Sequence, residues 1–262
     1  MAVSMSSSVA LGSPTTTAAA QEDPTTAALN KISPALGKAH GRVQSQLQSD
    51  STSLSQLGKY KATIADLASA AQALSQLGSG TGSVADQAKI VERFVTAYNQ
   101  AITASRPGTS SEASSTLASS RRALTNASAD TSRSQLAKLG LSRQADGTLK
   151  LDTAALNKAL TSGASSGSST GTAAAGGSGL STLAQLGKAI GKRADHELAS
   201  SSRLATATSL FSGKTTQLKQ QQTRLLEAAT QMSSQANTST GTNTGTNTSN
   251  WSTQQALRKY SV

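Results

Sequence analysis

The side chains in this sequence able to do chemistry are few, and their spacing argues against a reaction centre. Cysteine is absent, so there is no thiol nucleophile, no thiolate metal ligand and no disulfide framework. The two histidines, His40 and His196, lie far apart, and neither has a metal-ligand spacing or a nucleophile beside it. Asp195-His196-Glu197 puts an imidazole between two acids, but three consecutive residues on a helix point in different directions. That triplet reads as a solvated helix face. Asp146 and Asp152 flank Gly147, as two ligands of a calcium loop would. Such a loop needs about six oxygen ligands at fixed spacing, and Leu149, Lys150 and Leu151 interrupt it. The two carboxylates read instead as a turn residue and a helix cap. No catalytic, cofactor-binding or metal site is assigned; the chain is expected not to be an enzyme, and its function to lie in assembly.

The elements around these residues are better specified than any chemistry. Leu139 and Leu141 alternate, as do Leu149 and Leu151, and Asp146-Gly147 supplies left-handed turn geometry between them. Asp152 stands where an N-cap is needed for a helix over 153–160. Upstream, Ser83 caps a helix with Asp86 in its first turn, and Ile90, Phe94, Ala97, Tyr98 and Ile102 form its apolar face. This helix ends before Arg106-Pro107-Gly108. A further helix is expected over about 112–127, with Leu117 and Leu124 seven apart, and residues 136–141 lead into the hairpin. Residues 83–161 therefore read as a small α+β core unit carrying one hairpin.

Helical segments flank that unit. Within 27–77, Leu57, Ile64 and Ala71 repeat every seven residues, and Tyr60, Leu67 and Leu74 repeat with an offset of three. This is an a/d seam of about three heptads. A glycine joint at 78–82 ends it. Within 180–236, steps of seven from Leu183 give Ile190, Glu197, Leu204, Phe211, Leu218, Leu225 and Met232, an apolar column with one exception. The companion column is weak, with Arg193, Ser200, Lys214 and Gln221. Half a seam needs partners, here the 43–77 helix and neighbouring copies. The expected seam and oligomer-interface residues are Leu57, Ile64, Leu67, Leu74, Leu204, Phe211, Leu218, Leu225 and Met232. Residues 1–26, 162–179 and 237–250 are rich in Ser, Thr, Gly, Ala or Asn and bury too little to offset backbone entropy, so disorder is expected there. Residues 251–262 form a short amphipathic tail, in which Trp251 is either semi-exposed or an anchor for a partner.

Composition sets the fold class. Of 262 residues 35% are hydrophobic and only 2% aromatic, too few large side chains for a thick core. A mainly α chain is expected, an elongated helical bundle or coiled-coil stalk built from the N- and C-terminal helices. Lys and Arg outnumber Asp and Glu by 24 to 13, a net charge of +11. The cations are scattered, no basic run reaches five residues, and no aromatics alternate with them to stack bases. Solvated helix faces account for them. The alternative function is a basic helical module binding nucleic acid or an anionic surface polymer, although nucleic acid is not the partner expected. No apolar run reaches the roughly 18 residues of a membrane span. The first residues lack the basic start and apolar core of a secretory signal, so any export is expected to leave them uncleaved.

The order of segments resembles the bacterial flagellar filament-capping protein (second hook-associated protein) family. The resemblance rests on Phe94-Val95-Thr96-Ala97-Tyr98-Asn99, then Leu136-Ala137-Lys138-Leu139-Gly140-Leu141, then Asp146-Gly147-Thr148-Leu149-Lys150-Leu151-Asp152 continued by Leu156, Ala159 and Leu160. Residues 47–77 and 216–232 are similar to the family's first and last helices, and 252–257 to its end. Phe94, Tyr98, Asn99, Gly140, Asp146, Gly147 and Asp152 are the structural positions of that motif. The large outward domains of the family are missing, since only residues 78–82 join the first helix to the motif. The resemblance is thus to a reduced form. It implies a structural or assembly protein of the flagellum, hook-associated or filament-cap-like, exported to the cell exterior through the flagellar type III channel, with the 1–26 head as export signal. It implies copies of itself, flagellin or other hook-associated proteins and an export chaperone as partners, with no small-molecule substrate and no membrane span. It also implies terminal helices that are disordered in the monomer and order against neighbouring subunits.

Overall fold

A computed structural model describes residues 23–77, 82–108, 110–165 and 176–239. The expectations for residues 1–22, 78–81, 166–175 and 240–262, Trp251 among them, lie outside the described residues. The described chain is mainly α with one small two-stranded antiparallel sheet. It divides into two compact units, the described residues 23–43 with 222–239, and the described residues within 44–221. No helix of the described residues is long and apolar enough to cross a membrane.

The first unit begins with α1, Pro24–Ile32, capped by Asp23, whose carboxylate accepts the Thr26 N–H at 3.3 Å. Pro24 suits the first helical position, where its missing N–H has no intrahelical role. Ser33 is extended (φ −155, ψ 121) because Pro34 excludes it from the helical region. The chain therefore breaks there and α2 starts at Pro34 and runs to Gln76. This corrects two expectations. The segment 27–77 is two helices, and residues 24–26, assigned to a disordered head, are helical with Thr25 and Thr26 buried. Leu29 packs with Ala229, flanked by Ile32, Leu36 and Leu226, in a small core of its own.

The second unit holds the main core. Here α3 (Val84–Ala104) is capped by Ser83, whose Oγ accepts the Asp86 N–H and donates to the Asp86 carboxylate. Then come α4 (Ser111–Ala129), the short α5 (Arg133–Lys138), β1 (Leu141–Arg143), β2 (Leu149–Leu151) and α6 (Thr153–Ser165). The strands pair Leu141 with Leu151 and Arg143 with Leu149. Leu139 falls in the cap of α5 instead of the expected strand, since Gly140 (φ 73) turns the chain between them. The unit closes with α7 (Gly176–Leu198) and the start of α8 (Arg203–Ser239).

Three boundaries differ from expectation. The helix after Asp152 continues to Ser165, and α7 starts at Gly176, so the 162–179 linker is helical at both ends. The single helix expected over 180–236 is two, because Ser202 turns out of the helix and caps α8, its Oγ accepting the Ala205 N–H at 3.1 Å. Helix α8 also runs on to Ser239, into the expected 237–250 tract. Gly187 lets α7 approach α2 closely: a Cβ there would lie 2.6 Å from Ser75 N and 2.7 Å from Ala71 O. Small residues thus substitute proximity for bulk, which is how a chain so poor in aromatics closes a core.

Candidate functional site

The motif residues converge on the hairpin. Asn99, on α3, donates from Nδ2 to the Leu149 carbonyl and accepts the Leu149 N–H at Oδ1, both at 2.8 Å. One amide side chain thus serves as a strand partner for the edge of β2. At the tip, Gln144 N–H donates to Thr148 O at 2.8 Å and Gly147 takes φ 89. The Asp146 carboxylate accepts the Thr148 N–H at 3.0 Å and its hydroxyl at 2.6 Å, which holds the exposed carboxyl below its ordinary range. Asp152 caps α6, accepting the Ala155 N–H at 3.0 Å. Both carboxylates are therefore taken up by local backbone. Phe94 and Tyr98 are fully buried with ring centroids 6.1 Å apart. The Tyr98 hydroxyl donates to Ser128 Oγ at 3.2 Å, and burial pushes its phenol up. The backbone carbonyl of Ser128 accepts from Arg143 of β1, so Tyr98, α4 and the hairpin form one connected set.

The seam residues separate into two groups. Leu57, Ile64, Leu67 and Leu74, with Leu204 and Phe211, are fully or almost fully buried inside the chain's own second unit. Their apolar surface is already covered by intrachain neighbours. Leu218 of the second unit and Leu225 of the first are half-buried, and Met232 is 46% exposed. The inward face of α8 in the first unit is instead Gln222, Leu226, Ala229 and Ser233. A strict step of seven drifts about 20° per heptad against a straight helix, so a column drawn from Leu183 leaves the buried face before it reaches Met232.

A buried polar cluster escaped the sequence reading. Glu197 is only 4% exposed, contrary to the solvated face expected for it; its neighbours Asp195 and His196 are exposed. Ser120 Oγ of α4 donates to Glu197 Oε2 at 2.6 Å, and the Arg193 guanidinium donates to Oε1 from one turn earlier on α7. The Tyr60 hydroxyl of α2 is buried without a hydrogen-bond partner of good geometry. Burial first, then the Glu197 carboxylate, push this phenol far above its ordinary range, against the opposite pull of Ser120 and Arg193. The signal was present: a lone acid in an apolar column, with an arginine four residues before it.

The first unit has its own polar link. His40, 1% exposed, places Nδ1 2.9 Å from Thr26 Oγ1 and Nε2 3.2 Å from Gln222 Nε2. An amide N–H toward Nε2 requires that nitrogen to accept, so the ring is neutral with its proton on Nδ1. Burial lowers the His40 pKa from 6.5, and Asp23, 3.9 Å away, acts the other way. The unfolded chain therefore binds the proton more readily than the folded one. The stability His40 contributes is fully present above about pH 6.5 and is lost as pH falls through the lower folded value. Taking the protein from pH 7.5 to 5.5 is expected to lower the amide protection factors of α1, each referenced to the intrinsic exchange rate at that pH, and to leave those of α3 unchanged; in His40→Gln the α1 protection factors should not change with pH. Equal α1 protection at both pH values would remove His40 from this role.

No family model, no curated protein and no solved structure matches the chain.

Proposed function

We propose that the chain is a structural, assembly-type protein of the bacterial flagellum, hook-associated or filament-cap-like, exported without a cleaved signal peptide and self-associating through its helices. In this reading α2 and α8 form an elongated stalk, and the hairpin unit is the body it carries. The observation that carries the reading is the Asn99 clamp on Leu149. It joins two motif segments fifty residues apart into one body, as expected if the resemblance is one of structure. A second support is α8, where Leu218, Leu225 and Met232 keep apolar surface open for another copy, flagellin or another hook-associated protein.

The test has two arms. Sedimentation of the full chain over a concentration series should show a mass that rises with concentration, and Leu218→Lys with Met232→Lys should suppress the rise. Expressed in a flagellated host, the chain should reach the medium only when flagellar export is intact. A chain that remains monomeric at every concentration and remains inside the cell overturns the proposal. The second reading, a basic module for nucleic acid or an anionic surface polymer, draws on the net charge of +11. It predicts a mobility shift whose affinity falls steeply between two salt concentrations.

A further inference from the structure

A cleft of about 410 Å³ opens in the second unit between the end of α3, the middle of α4 and the hairpin tip. Arg106, Arg121 and Arg122 line it, with Thr125, Asn126 and Asp146. The two α4 arginines each have a polar side chain one turn on, Thr125 after Arg121 and Asn126 after Arg122, so α4 presents two parallel polar rows. The tip closes in at Gly147, where an added Cβ would sit 3.4 Å from Thr125 Oγ1 and 3.9 Å from Ile102. The ion pairs among the described residues are His40–Asp23, Arg193–Glu197 and Lys214–Glu112, so none involves these three guanidiniums. Asp146, the acid in the cleft, already accepts two hydrogen bonds from Thr148. Three cations against one anion leave a formal excess of +2 in one small space.

We propose that this cleft binds a phosphate monoester dianion, bonded by Arg121 and Arg122 and steered by Arg106. The charge excess matches a dianion, and a carboxylate would neutralise only half of it. Guanidinium forks pair bidentately with phosphate oxygens, which the compact lysine ammonium does not do. The volume suits a single small molecule. A nucleic-acid track is disfavoured, because no aromatic side chain lines the cleft to stack a base. The Thr125 hydroxyl donates to the Arg121 carbonyl at 2.9 Å and so can accept from a sugar hydroxyl, while the Asn126 amide can both donate and accept, so a hexose monophosphate should bind more tightly than inorganic phosphate.

Titration calorimetry on the full chain at pH 8 and physiological ionic strength, with inorganic phosphate, a hexose monophosphate and acetate, tests this. Binding of both phosphates, and of acetate at least about tenfold more weakly, is expected. Each of Arg121→Ala and Arg122→Ala should weaken phosphate binding by about tenfold or more, the scale of a lost charge-assisted hydrogen bond. Asp146→Asn, which keeps an acceptor for Thr148, should strengthen it. Because Arg122 and Arg106 are exposed, their variants should fold, and Arg106→Gln provides a second loss-of-charge variant. Inorganic phosphate bound as tightly as the sugar phosphate would place the recognition in the phosphoryl group alone, and the proposal would stand without its sugar clause. No heat with either phosphate, equal binding of acetate, or binding unchanged in the arginine variants overturns it.

Discussion

Glu197→Ala is expected to destabilise the second unit by about 3 kcal/mol, the lower end of the loss on removing one partner of a buried ion pair. Glu197 is buried, and its two oxygens are taken by Ser120 and Arg193. Truncation leaves the Ser120 hydroxyl without its acceptor and the Arg193 guanidinium without its counter-ion, beside an already unpartnered Tyr60 hydroxyl. The Arg193 side chain is 32% exposed, so water takes over part of its charge, which argues for the lower end of the range. Urea unfolding of the variant measures the loss. A change within about 0.5 kcal/mol, the usual effect of a surface substitution, would contradict the burial. Glu197→Gln should lose less, because an amide oxygen still accepts from Ser120. Replacing both partners, Arg193→Met with Glu197→Leu, should recover most of the stability or exceed the original, since a well-packed apolar pair avoids the desolvation of two charges. The cluster then contributes specificity of packing, fixing how α2, α4 and α7 meet, more than it contributes net stability.

That cluster also marks where a sequence stops being legible. Local signals carried far: Ser83, Asp152 and Gly147 are read from one or two neighbours, and the structure places them as caps and turn. The apolar stripe of α2 is readable because Leu57, Tyr60, Ile64, Leu67, Ala71 and Leu74 recur at helical spacing, and all six are buried. What could not be read depends on other elements. Glu197 looked solvated because Ser120, seventy-seven residues away, is what makes its burial tolerable. The Asn99 clamp is likewise invisible without the strand it serves. Along α8 a fixed step of seven cannot register the drift of a straight helix, so the column buried at Leu204 and Phe211 is half-buried at Leu218 and Leu225 and exposed at Met232. The arginine cleft was hidden for a similar reason. Arg106 and the pair Arg121-Arg122 belong to different elements, and only the turn at Gly147 closes the space between them.

Gly140→Ala is expected to cost about 3 kcal/mol or more, from two separable sources. The residue holds φ 73, where any L side chain meets its own backbone at a cost of about 1–2 kcal/mol. The second source is space. A Cβ at Gly140 would lie 2.5 Å from Asp152 O, 3.0 Å from Ala155 Cβ and 3.2 Å from Leu156 N, and two of those three atoms are backbone that no rotamer change can move. Relief requires α6 to shift away, which also strains the 2.8 Å bond from Asp152 N–H to Gly140 O; forced overpacking of this kind costs about 1–3 kcal/mol. Gly147 provides the internal control. Its φ of 89 is equally restrictive, but an added Cβ would meet nothing nearer than Thr125 Oγ1 at 3.4 Å. Gly147→Ala should therefore show the conformational cost alone, about 1–2 kcal/mol. The difference between the two variants in urea unfolding isolates the close approach of the hairpin strand to the start of α6. Equal losses would mean that α6 yields freely at Asp152, and the body built around Asn99 would then be looser than its hydrogen bonds imply.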